Sequence, residues 1–242
     1  MKLIKLDAID STNDFLKGLS TQSDIENFTV VSAENQTRGK GQMGSVWNSE
    51  AGKNLIMSVL VKDFLTDISQ IFTLNIVFSV AVINTLNSQN IPNLSIKWPN
   101  DILSANKKIG GILIENSIKS DGTILSIVGL GLNVNQINFE SLPKASSLFA
   151  ITGLQFNKEE LLNEIVVNLK KSTAECSVNA ESLRQQFINL LYKKDNPMPF
   201  INQKQDKFMA IIKGISETGR LQMVLEDDSI AEFDIKEIQM LY

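Results

Sequence analysis

The sequence predicts an α+β protein with one large domain followed by a small β-rich piece. The 242 residues are 43% hydrophobic and 21% charged, with only 13 Gly and 5 Pro, which suits a globular chain with a sizeable core. Strand-like and helix-like segments follow one another over most of the length. Beyond Pro197 and Pro199, which interrupt both helix and sheet, only short strand-like segments remain. We therefore predict domains at residues 1–195 and 196–242.

The composition excludes several classes of function. The formal net charge of −4 gives no general affinity for nucleic acid. The chain has no His and a single Cys, Cys176, which excludes Ser-His and Cys-His dyads, histidine metal sites and an internal disulfide. The first seven residues are too few and too charged for a signal peptide. The most apolar run, residues 71–86, is broken by polar residues, which favours a buried helix over a membrane span.

The first elements are a strand at residues 2–8 and a helix that opens at Ser11. Ser11 and Asp14, three residues later, resemble a capping box, which is typical of a helix start. In isolation, Ser11-Thr12-Asn13 is most simply a cap. The functional alternative is that this helix start offers hydroxyl, amide and backbone N–H groups to a neutral polar ligand.

A strand at residues 29–34 leads into a basic glycine-rich loop, residues 36–47. Three glycines within six residues, beside Arg38 and Lys40, allow backbone N–H groups and cations to meet a phosphate. Loops of this composition are also often linkers. The Walker pattern does not apply, because the segment that follows at residues 53–61 is strand-like rather than helical.

The stretch Ile96 to Ile102, followed by residues 107–111, is predicted to be a β-hairpin after an apolar helix at residues 67–86. Alternation places one set of side chains on one face: Lys97, Asp101, Leu103 and, for a loop of two or four residues, Lys108, Gly110 and Ile112. Asp101 and Lys108 then lie close enough to act on one ligand, above a floor at Gly110. A three-residue loop would separate them. Taken singly, such features are usually a surface ion pair and a bulge.

A strand at residues 124–135 carries Gly129, Gly131 and Asn133 on one face. Two glycines on one face of a strand weaken it unless something approaches the backbone closely, and a ligand is the best candidate. Two helices follow, the first capped by Asn157 and the second around Leu183 to Leu191. The last predicted strands are at residues 208–213, 220–225 and 230–233.

Together, four ordered motifs resemble those of biotin protein ligases over nearly the whole chain. Lys97 to Asp101 matches the K-W-P-N-D hairpin, Asp10 to Asn13 the D-S-T-N segment, and Gly129 to Asn133 the G-x-G-x-N strand. The loop resembles the family's G-R-G-R-x-G loop, with Lys40 and Gln42 where arginines are common. The resemblance implies a mixed-sheet catalytic domain of the biotin/lipoate ligase type and a small C-terminal SH3-like β-barrel.

The resemblance implies an ATP-dependent ligation in two steps, with ATP, biotin and Mg²⁺ as substrates and cofactors. Biotinyl-5′-AMP forms first, and a lysine of a biotin carboxyl carrier protein then accepts the biotin. The implied catalytic residues are Lys108, Asp101 and Lys40. The implied biotin-binding residues are Ser11, Thr12, Asn13, Gln36, Gly39, Lys40, Gly41, Lys108, Gly110, Gly111, Gly129 and Gly131. The implied nucleotide-binding residues are Lys40, Gln42, Trp47, Asn100 and Asn133.

Several expectations about partners and alternatives complete this interpretation. Asp101 is a candidate either for Mg²⁺ or for the ammonium of the incoming lysine. Because the D-S-T-N segment begins at Asp10, we expect no DNA-binding domain and no DNA partner. We also expect a cytoplasmic protein without a membrane partner, and a homodimer stays open. The alternatives are a lipoate-type ligase of the same fold, or a non-catalytic biotin-binding module, which Gln42 makes conceivable.

Overall fold

The computed structural model describes residues 2–22, 25–140 and 142–241. The ends of the predicted domains, Met1 and Tyr242, lie outside these ranges. The first part contains seven strands: β1 (Leu3–Ile9), β2 (Val30–Gln36), β3 (Leu55–Lys62), β4 (Leu94–Lys97), β5 (Asp101–Ser104), β6 (Lys107–Ile118) and β7 (Ile124–Leu132). They form one mixed sheet in the order β1-β2-β3-β7-β6-β5-β4, in which β1 and β2 are parallel.

Four helices accompany this sheet: α1 (Thr12–Gln22), α2 (Ile71–Ser88), α3 (Leu148–Thr152) and α4 (Lys158–Asn189). Helix α1 covers one face, where Leu16 packs in a buried cluster with Val31 and Leu60. The main core lies on the other face and contains α2, α4 and the inner side chains of the strands. Helix α2 is long and apolar enough to cross a membrane by length and composition, and 67% of it is buried in this core. Its burial agrees with the predicted buried helix.

Five further strands form a second, antiparallel sheet: β8 (Pro197–Asn202), β9 (Lys207–Ile215), β10 (Leu221–Leu225), β11 (Ile230–Phe233) and β12 (Ile238–Met240). Their order is β11-β10-β9-β8-β12. The predicted α+β class is therefore confirmed, with a mixed sheet followed by a small antiparallel one. The boundary between residues 195 and 196 stays a prediction, although β8 begins close to it.

The predicted hairpin over residues 96–114 is wrong in one respect, because it contains three strands instead of two. The turn Trp98-Pro99-Asn100 separates β4 from β5, so that Lys97 pairs directly with Asp101. Pro99 has no N–H group to continue a ladder, and its peptide bond with Trp98 is cis. Lys97 and Asp101 still share a face, as predicted, since directly paired residues point to the same side of a sheet.

A bulge between β5 and β6 changes which glycine lies beside Lys108. The turn holds two residues, Ala105 and Asn106, as one of the predicted cases requires. The register then shifts, so that Leu103 pairs with Lys108 but Asp101 pairs with Gly111. The prediction that Gly110 lies beside Lys108 is therefore wrong, and Gly111 takes that place.

The two helices predicted after the first sheet are two segments of the single helix α4, which follow one another without a loop. The break is at Asn179, whose φ of −150° and ψ of 77° are not helical. The side chain of Asn179 accepts a hydrogen bond from the backbone of Ser182 at 3.1 Å and so caps the second segment. The predicted pair of helices is in this sense confirmed. The short helix α3, capped by Ser147, was not predicted.

The second sheet packs against the first part at the turn between β9 and β10. The carbonyl of Gly219 in this turn accepts a hydrogen bond from the Trp98 indole at 2.9 Å. Gly219 has a φ of +85°, and a Cβ there would lie 2.0 Å from the ring of Phe72 in α2. Arg184 of α4 donates to the backbone carbonyls of Ile215 and Ser216 beside this turn. The two sheets are thereby held in a fixed relation, with a cavity between them.

Candidate active site

The cavity between the two sheets has a volume of about 610 Å³ and a strongly cationic lining. Among the described residues, its charged lining consists of four lysines and one carboxylate: Lys40, Lys97, Lys108, Lys236 and Asp101. The first sheet supplies its floor, the glycine-rich loop one side and the β11–β12 connection another. A cavity of this size and charge suits an anionic small molecule.

Lys108 and Asp101 form the centre of the charged cluster, as the sequence predicts. Lys108 Nζ lies 2.6 Å from Asp101 Oδ1, and the two side chains are 36% and 20% exposed. Lys97 faces the same carboxylate across the β4–β5 ladder. Burial lowers the pKa of Lys97, the charge of Asp101 raises it and the charge of Lys108 lowers it again. Asp101 thus sits between two cations in a partly desolvated position, where charges interact more strongly than in water.

Gly111 allows the lysine to lie close to the strand. A Cβ at Gly111 would be 3.4 Å from both Cε and Nζ of Lys108, and 3.7 Å from Asp101 Oδ1. Gly110 instead faces the Gly131 carbonyl and the side chains of Ile102 and Leu132, and it does not line the cavity. The glycine beside the charged pair is therefore Gly111, where a Cβ would be in ordinary van der Waals contact with Lys108.

The start of α1 acts as a cap and also lines the cavity, so that both interpretations of this segment are compatible. The Ser11 hydroxyl accepts from the backbone of Asp14 at 3.3 Å. Thr12 donates twice to Gln36 Oε1, from its backbone at 2.7 Å and from its hydroxyl at 3.0 Å. Ser11, Thr12 and Asn13 are nearly inaccessible to solvent, yet all three line the cavity. Such a concentration of buried polar groups indicates recognition of a polar ligand.

Two residues that the sequence interpretation missed complete this polar cluster. Ser58 of β3 is fully buried, and its hydroxyl lies 2.6 Å from Asn13 Oδ1 and 2.7 Å from Thr12 Oγ1. Glu115 of β6 accepts a hydrogen bond from Asn13 Nδ2 at 2.8 Å. The only signal in the sequence was a single serine within an otherwise apolar strand and a carboxylate within another.

The glycine-rich loop folds back on itself as a short hairpin. Gly41 N donates to Ser45 O at 2.7 Å and Trp47 N to Gly39 O at 2.9 Å. A Cβ at Gly39 would be 2.4 Å from the Trp47 carbonyl, so Gly39 serves this packing and does not line the cavity. Gly41 and Gln42 do line it, as predicted.

Two lysines attach the loop to the rest of the protein. Lys40 Nζ lies 2.7 Å from Asp14 Oδ1 in α1, and Lys236 Nζ donates to the Met43 carbonyl at 2.9 Å. The hydrogen bond to Asp14 raises the pKa of Lys40, against a smaller lowering by burial, and the charges of Asp14 and Glu115 raise it further. Lys40 therefore stays a cation throughout the neutral range.

Gly129 and Gly131 line the cavity, and each permits a close approach to the backbone, as predicted. The sequence favoured a ligand as the approaching group, whereas in the structure side chains of the protein itself take that place. A Cβ at Gly129 would lie 2.5 Å from Asn13 Oδ1, and one at Gly131 would lie 2.3 Å from Cε2 of Trp47. The Lys108 ammonium is 5.8 Å from the centroid of this indole. The buried indole Nε1 finds no hydrogen-bond partner within the described part of the chain.

Of the two predicted nucleotide-binding asparagines, one lines the cavity and one does not. Asn100 lies in the lining and donates to the Ile112 carbonyl at 2.6 Å. Asn133 is buried outside the lining, and its amide donates to the Ser146 carbonyl at 2.9 Å. The prediction that the Asn133 amide lines the nucleotide end of the cavity is therefore wrong. Strand β7 ends at Leu132, and the loop around Ser146 folds back onto the residue that follows.

The donor set suits a metal ion that arrives with a ligand better than a resident one. No group of three or more His, Cys, Asp or Glu side chains that could hold a metal occurs among the described residues. Mg²⁺ is commonly bound by one or two carboxylates together with substrate phosphates. Asp101, the one acidic residue of the described cavity lining, supplies that minimum.

A family model and several curated relatives match this chain. The model of the Biotin/lipoate A/B protein ligase family matches residues 6–135. The bifunctional ligase/repressor BirA of Bacillus spizizenii is 32% identical over 174 residues, which cover 70% of this chain and 53% of that protein. The biotin–[acetyl-CoA-carboxylase] ligase of Mycobacterium tuberculosis is 32% identical over 142 residues, 57% of this chain and 51% of that protein. The chain thus spans about half the length of these curated relatives.

Solved structures extend the likeness to the whole chain. The biotin protein ligase of Aquifex aeolicus in complex with biotin and ATP has a TM-score of 0.81 and 25% identity, covering 99% of this chain and 98% of that one. The biotin protein ligase of Leishmania major in complex with biotin has a TM-score of 0.67 at 20% identity, with 97% and 98% covered, which shows the fold alone. Both sheets described above are included in these matches.

Proposed function

Because the chain belongs to the Biotin/lipoate A/B protein ligase family, we propose that it is an ATP-dependent biotin protein ligase. The observation that carries this proposal is the Lys108–Asp101 pair at 2.6 Å, set in a lysine-lined cavity beside a buried cluster of neutral polar groups. The lysines suit the phosphates of a nucleoside triphosphate. The neutral polar cluster suits the biotin ring, which carries N–H and C=O groups. The Aquifex relative, with biotin and ATP bound, supports this assignment.

In the first proposed step, the carboxylate of biotin attacks the α-phosphorus of MgATP, and pyrophosphate leaves. No nucleophile from the protein is needed, which agrees with a chain that lacks histidine. The task of the protein is to hold two anions in line and to neutralise the charge that builds up at phosphorus. We assign this role to the Lys108 ammonium, with Lys40 and Lys97 in support.

In the second proposed step, a lysine amine of a biotin carboxyl carrier protein attacks the carbonyl carbon of biotinyl-5′-AMP. The C–O bond to AMP breaks, AMP leaves with the electron pair, and the nitrogen gives up its extra proton to solvent. Asp101 is our candidate to hold the incoming ammonium or to contact the Mg²⁺ of MgATP. Its Oδ1 is already paired with Lys108, so either role would add a further cation to a carboxylate that neutralises one. The carrier partner, a homodimer and a cytoplasmic location stay predictions.

Release of pyrophosphate from MgATP, measured with and without biotin, is the most informative assay. We expect release that depends on biotin, followed by transfer of label from biotin to a carrier domain with an accessible lysine. Parallel reactions with lipoate test the lipoate-type alternative. Binding of biotin without pyrophosphate release would contradict the proposal in favour of a binding module, and adenylation of lipoate alone would reassign the substrate.

A further prediction concerns the glycine-rich loop, which we propose closes over the bound adenylate. Its glycines make it costly to order, and we expect it to be mobile in the free protein. Trypsin cleavage after Arg38 or Lys40 should be fast without ligand and suppressed by biotin with MgATP. Cleavage after Lys204, in an exposed turn of the second sheet, serves as an internal control and should not change. Equal resistance in both states would show that the loop is preformed.

The same lid should protect the reactive mixed anhydride from water until the carrier arrives. Replacing Gly41 with proline removes the N–H that donates to Ser45, and added bulk at this position meets the Ser45 hydroxyl. We expect Gly41→Pro to release more free biotinyl-AMP per biotin transferred. An unchanged ratio would mean that the loop does not shield the intermediate.

A further inference from the structure

We propose that Glu115, which no motif indicates, is a positioning residue that fixes the orientation of the Asn13 amide. It thereby decides whether Asn13 offers a hydrogen-bond acceptor or a donor to a ligand at the start of α1. This inference rests on the proposed function. Glu115 lies on β6 and Asn13 at the start of α1, 102 residues apart in the chain, and the contact joins Asn13 Nδ2 to Glu115 Oε2 at 2.8 Å.

The contact selects one of two orientations of the amide. An asparagine amide has nearly the same shape when its oxygen and nitrogen exchange places, so only its hydrogen-bond partners decide between the two. An ionised carboxylate accepts hydrogen bonds and donates none. The amide nitrogen of Asn13 therefore faces Glu115 at 2.8 Å, with the Leu113 carbonyl as a longer second acceptor at 3.5 Å. The amide oxygen faces the opposite side, toward Ser58 and Gly129.

The fixed orientation places an acceptor with an open position beside the cavity. The Ser58 hydroxyl lies 2.6 Å from Asn13 Oδ1 and is its one donor among the described residues. An amide oxygen has two lone pairs, so it can accept a second hydrogen bond. Because Asn13 lines the cavity, that position is open to a ligand N–H group. A flipped Asn13 amide would present its own N–H groups there and repel such a ligand.

This arrangement explains why Gly129 has no side chain. A Cβ there would lie 2.5 Å from Asn13 Oδ1 and 3.2 Å from Nδ2, so the whole amide lies flat against the strand. Glu115 also acts on Lys40 through its charge, but the direct partner of Lys40 is Asp14, at 2.7 Å. The geometric task of Glu115 is the contact with Asn13.

The test compares Glu115→Leu, which removes the acceptor, with Glu115→Gln, which retains one. The measurements are the dissociation constant of biotin by calorimetry, the KM for ATP and the melting temperature. For Glu115→Leu we expect biotin to bind about 10 to 100 times more weakly, the range typical of losing a hydrogen bond to a charged group. The KM for ATP should change by no more than about threefold, as such contacts act locally. Glu115→Gln should retain most of the affinity.

The matched control is Asn116→Leu, one residue along β6. Residues 115 and 116 point to opposite faces of the sheet, and Asn116 is the partner of Ser126 outside the cavity. This variant reports the general cost of placing leucine on the strand. Equal biotin affinity in Glu115→Leu and the unmodified protein, or a loss no larger than that in Asn116→Leu, would overturn the inference. Failure of the unmodified protein to bind biotin would instead overturn the proposed function.

Exchanging the carboxylate and the amide between positions 115 and 13 gives a second test, which does not depend on whether Glu115→Leu folds. Asn13→Asp alone brings two carboxylates together and should abolish measurable biotin binding. In the double variant Asn13→Asp with Glu115→Gln, the amide at position 115 donates and the carboxylate at position 13 accepts. A carboxylate oxygen then faces Gly129, as the amide oxygen does in the unmodified protein. We expect the double variant to recover at least tenfold in affinity over Asn13→Asp. No recovery would show that Glu115 does not act by orienting residue 13.

Discussion

Replacing Lys108 with alanine is expected to lower the rate of adenylate formation by about 100 to 1,000 times, the usual loss when a preorganised electrostatic contact is removed from a reacting centre. The ammonium lies 2.6 Å from Asp101 and 5.8 Å from the Trp47 ring, in the middle of the cavity. These two contacts place the Lys108 ammonium at the centre of the charged cluster. The measurement is biotin-dependent pyrophosphate exchange at saturating biotin and MgATP.

Two controls separate the charge of Lys108 from its effects on structure. Lys107→Ala changes the preceding residue, whose ammonium donates to the Pro143 carbonyl and does not line the cavity. We expect its rate to stay within about twofold, as for most surface substitutions. The double variant Lys108→Ala with Asp101→Asn removes the carboxylate that loses one of its two neighbouring cations in the single change. The assignment is falsified if Lys108→Ala retains near-normal exchange. A double variant with restored activity would attribute the loss to the altered surroundings of Asp101.

Gly131→Ala is expected to weaken the binding of biotin or nucleotide more than it lowers the melting temperature. A Cβ at this position would lie between 2.3 and 2.8 Å from three atoms of the Trp47 indole, so the ring must leave its place. Overpacking a closed core costs about 1–3 kcal/mol, but an exposed loop can yield and thus spare the fold. Calorimetric affinity and thermal melting, compared in the same samples, test this.

Fluorescence can follow the displaced ring directly. The chain has two tryptophans, so a Trp98→Phe background reports Trp47 alone. Gly18→Ala is the matched control, because a Cβ at this helical glycine meets nothing within 4 Å. We expect it to leave affinity unchanged and to stabilise helix α1 by about 0.5–1 kcal/mol. Equal ligand affinity together with a destabilised fold in Gly131→Ala would make Gly131 a packing feature.

The central pair was predictable because it depends on local features of the chain. Residues of one β-hairpin are close in sequence, and a two-residue turn is enough to bring Lys108 to Asp101. The neighbouring details were not predictable in this way. The turn at Pro99 and the bulge that replaces Gly110 by Gly111 depend on how the hairpin packs against the rest of the sheet. Period-2 alternation has no means to anticipate either interruption.

The missed residues act over long distances in sequence. Ser58 and Glu115 reach Asn13 from strands that are 45 and 102 residues away. Lys236 joins the glycine-rich loop from 193 residues away. In isolation, each is an ordinary serine, glutamate or lysine. In the second sheet, β8 was missed because prolines usually interrupt strands, and β12 because its three residues are too few for a pattern.

The turn at Gly219 has a consequence for how sequences of this kind are free to vary. The second sheet has two other hairpin turns, at residues 203–206 and 226–229, and both are exposed to solvent. Their side chains are exposed and lie outside the cavity lining, so we expect these turns to tolerate changes of length more readily than the turn at Gly219. At Gly219 a side chain would meet both a left-handed backbone and the ring of Phe72. An insertion there would move the carbonyl that holds the Trp98 indole, next to Asn100 and Asp101. We therefore expect changes of length in the second sheet to concentrate in the two exposed turns, neither of which lines the cavity.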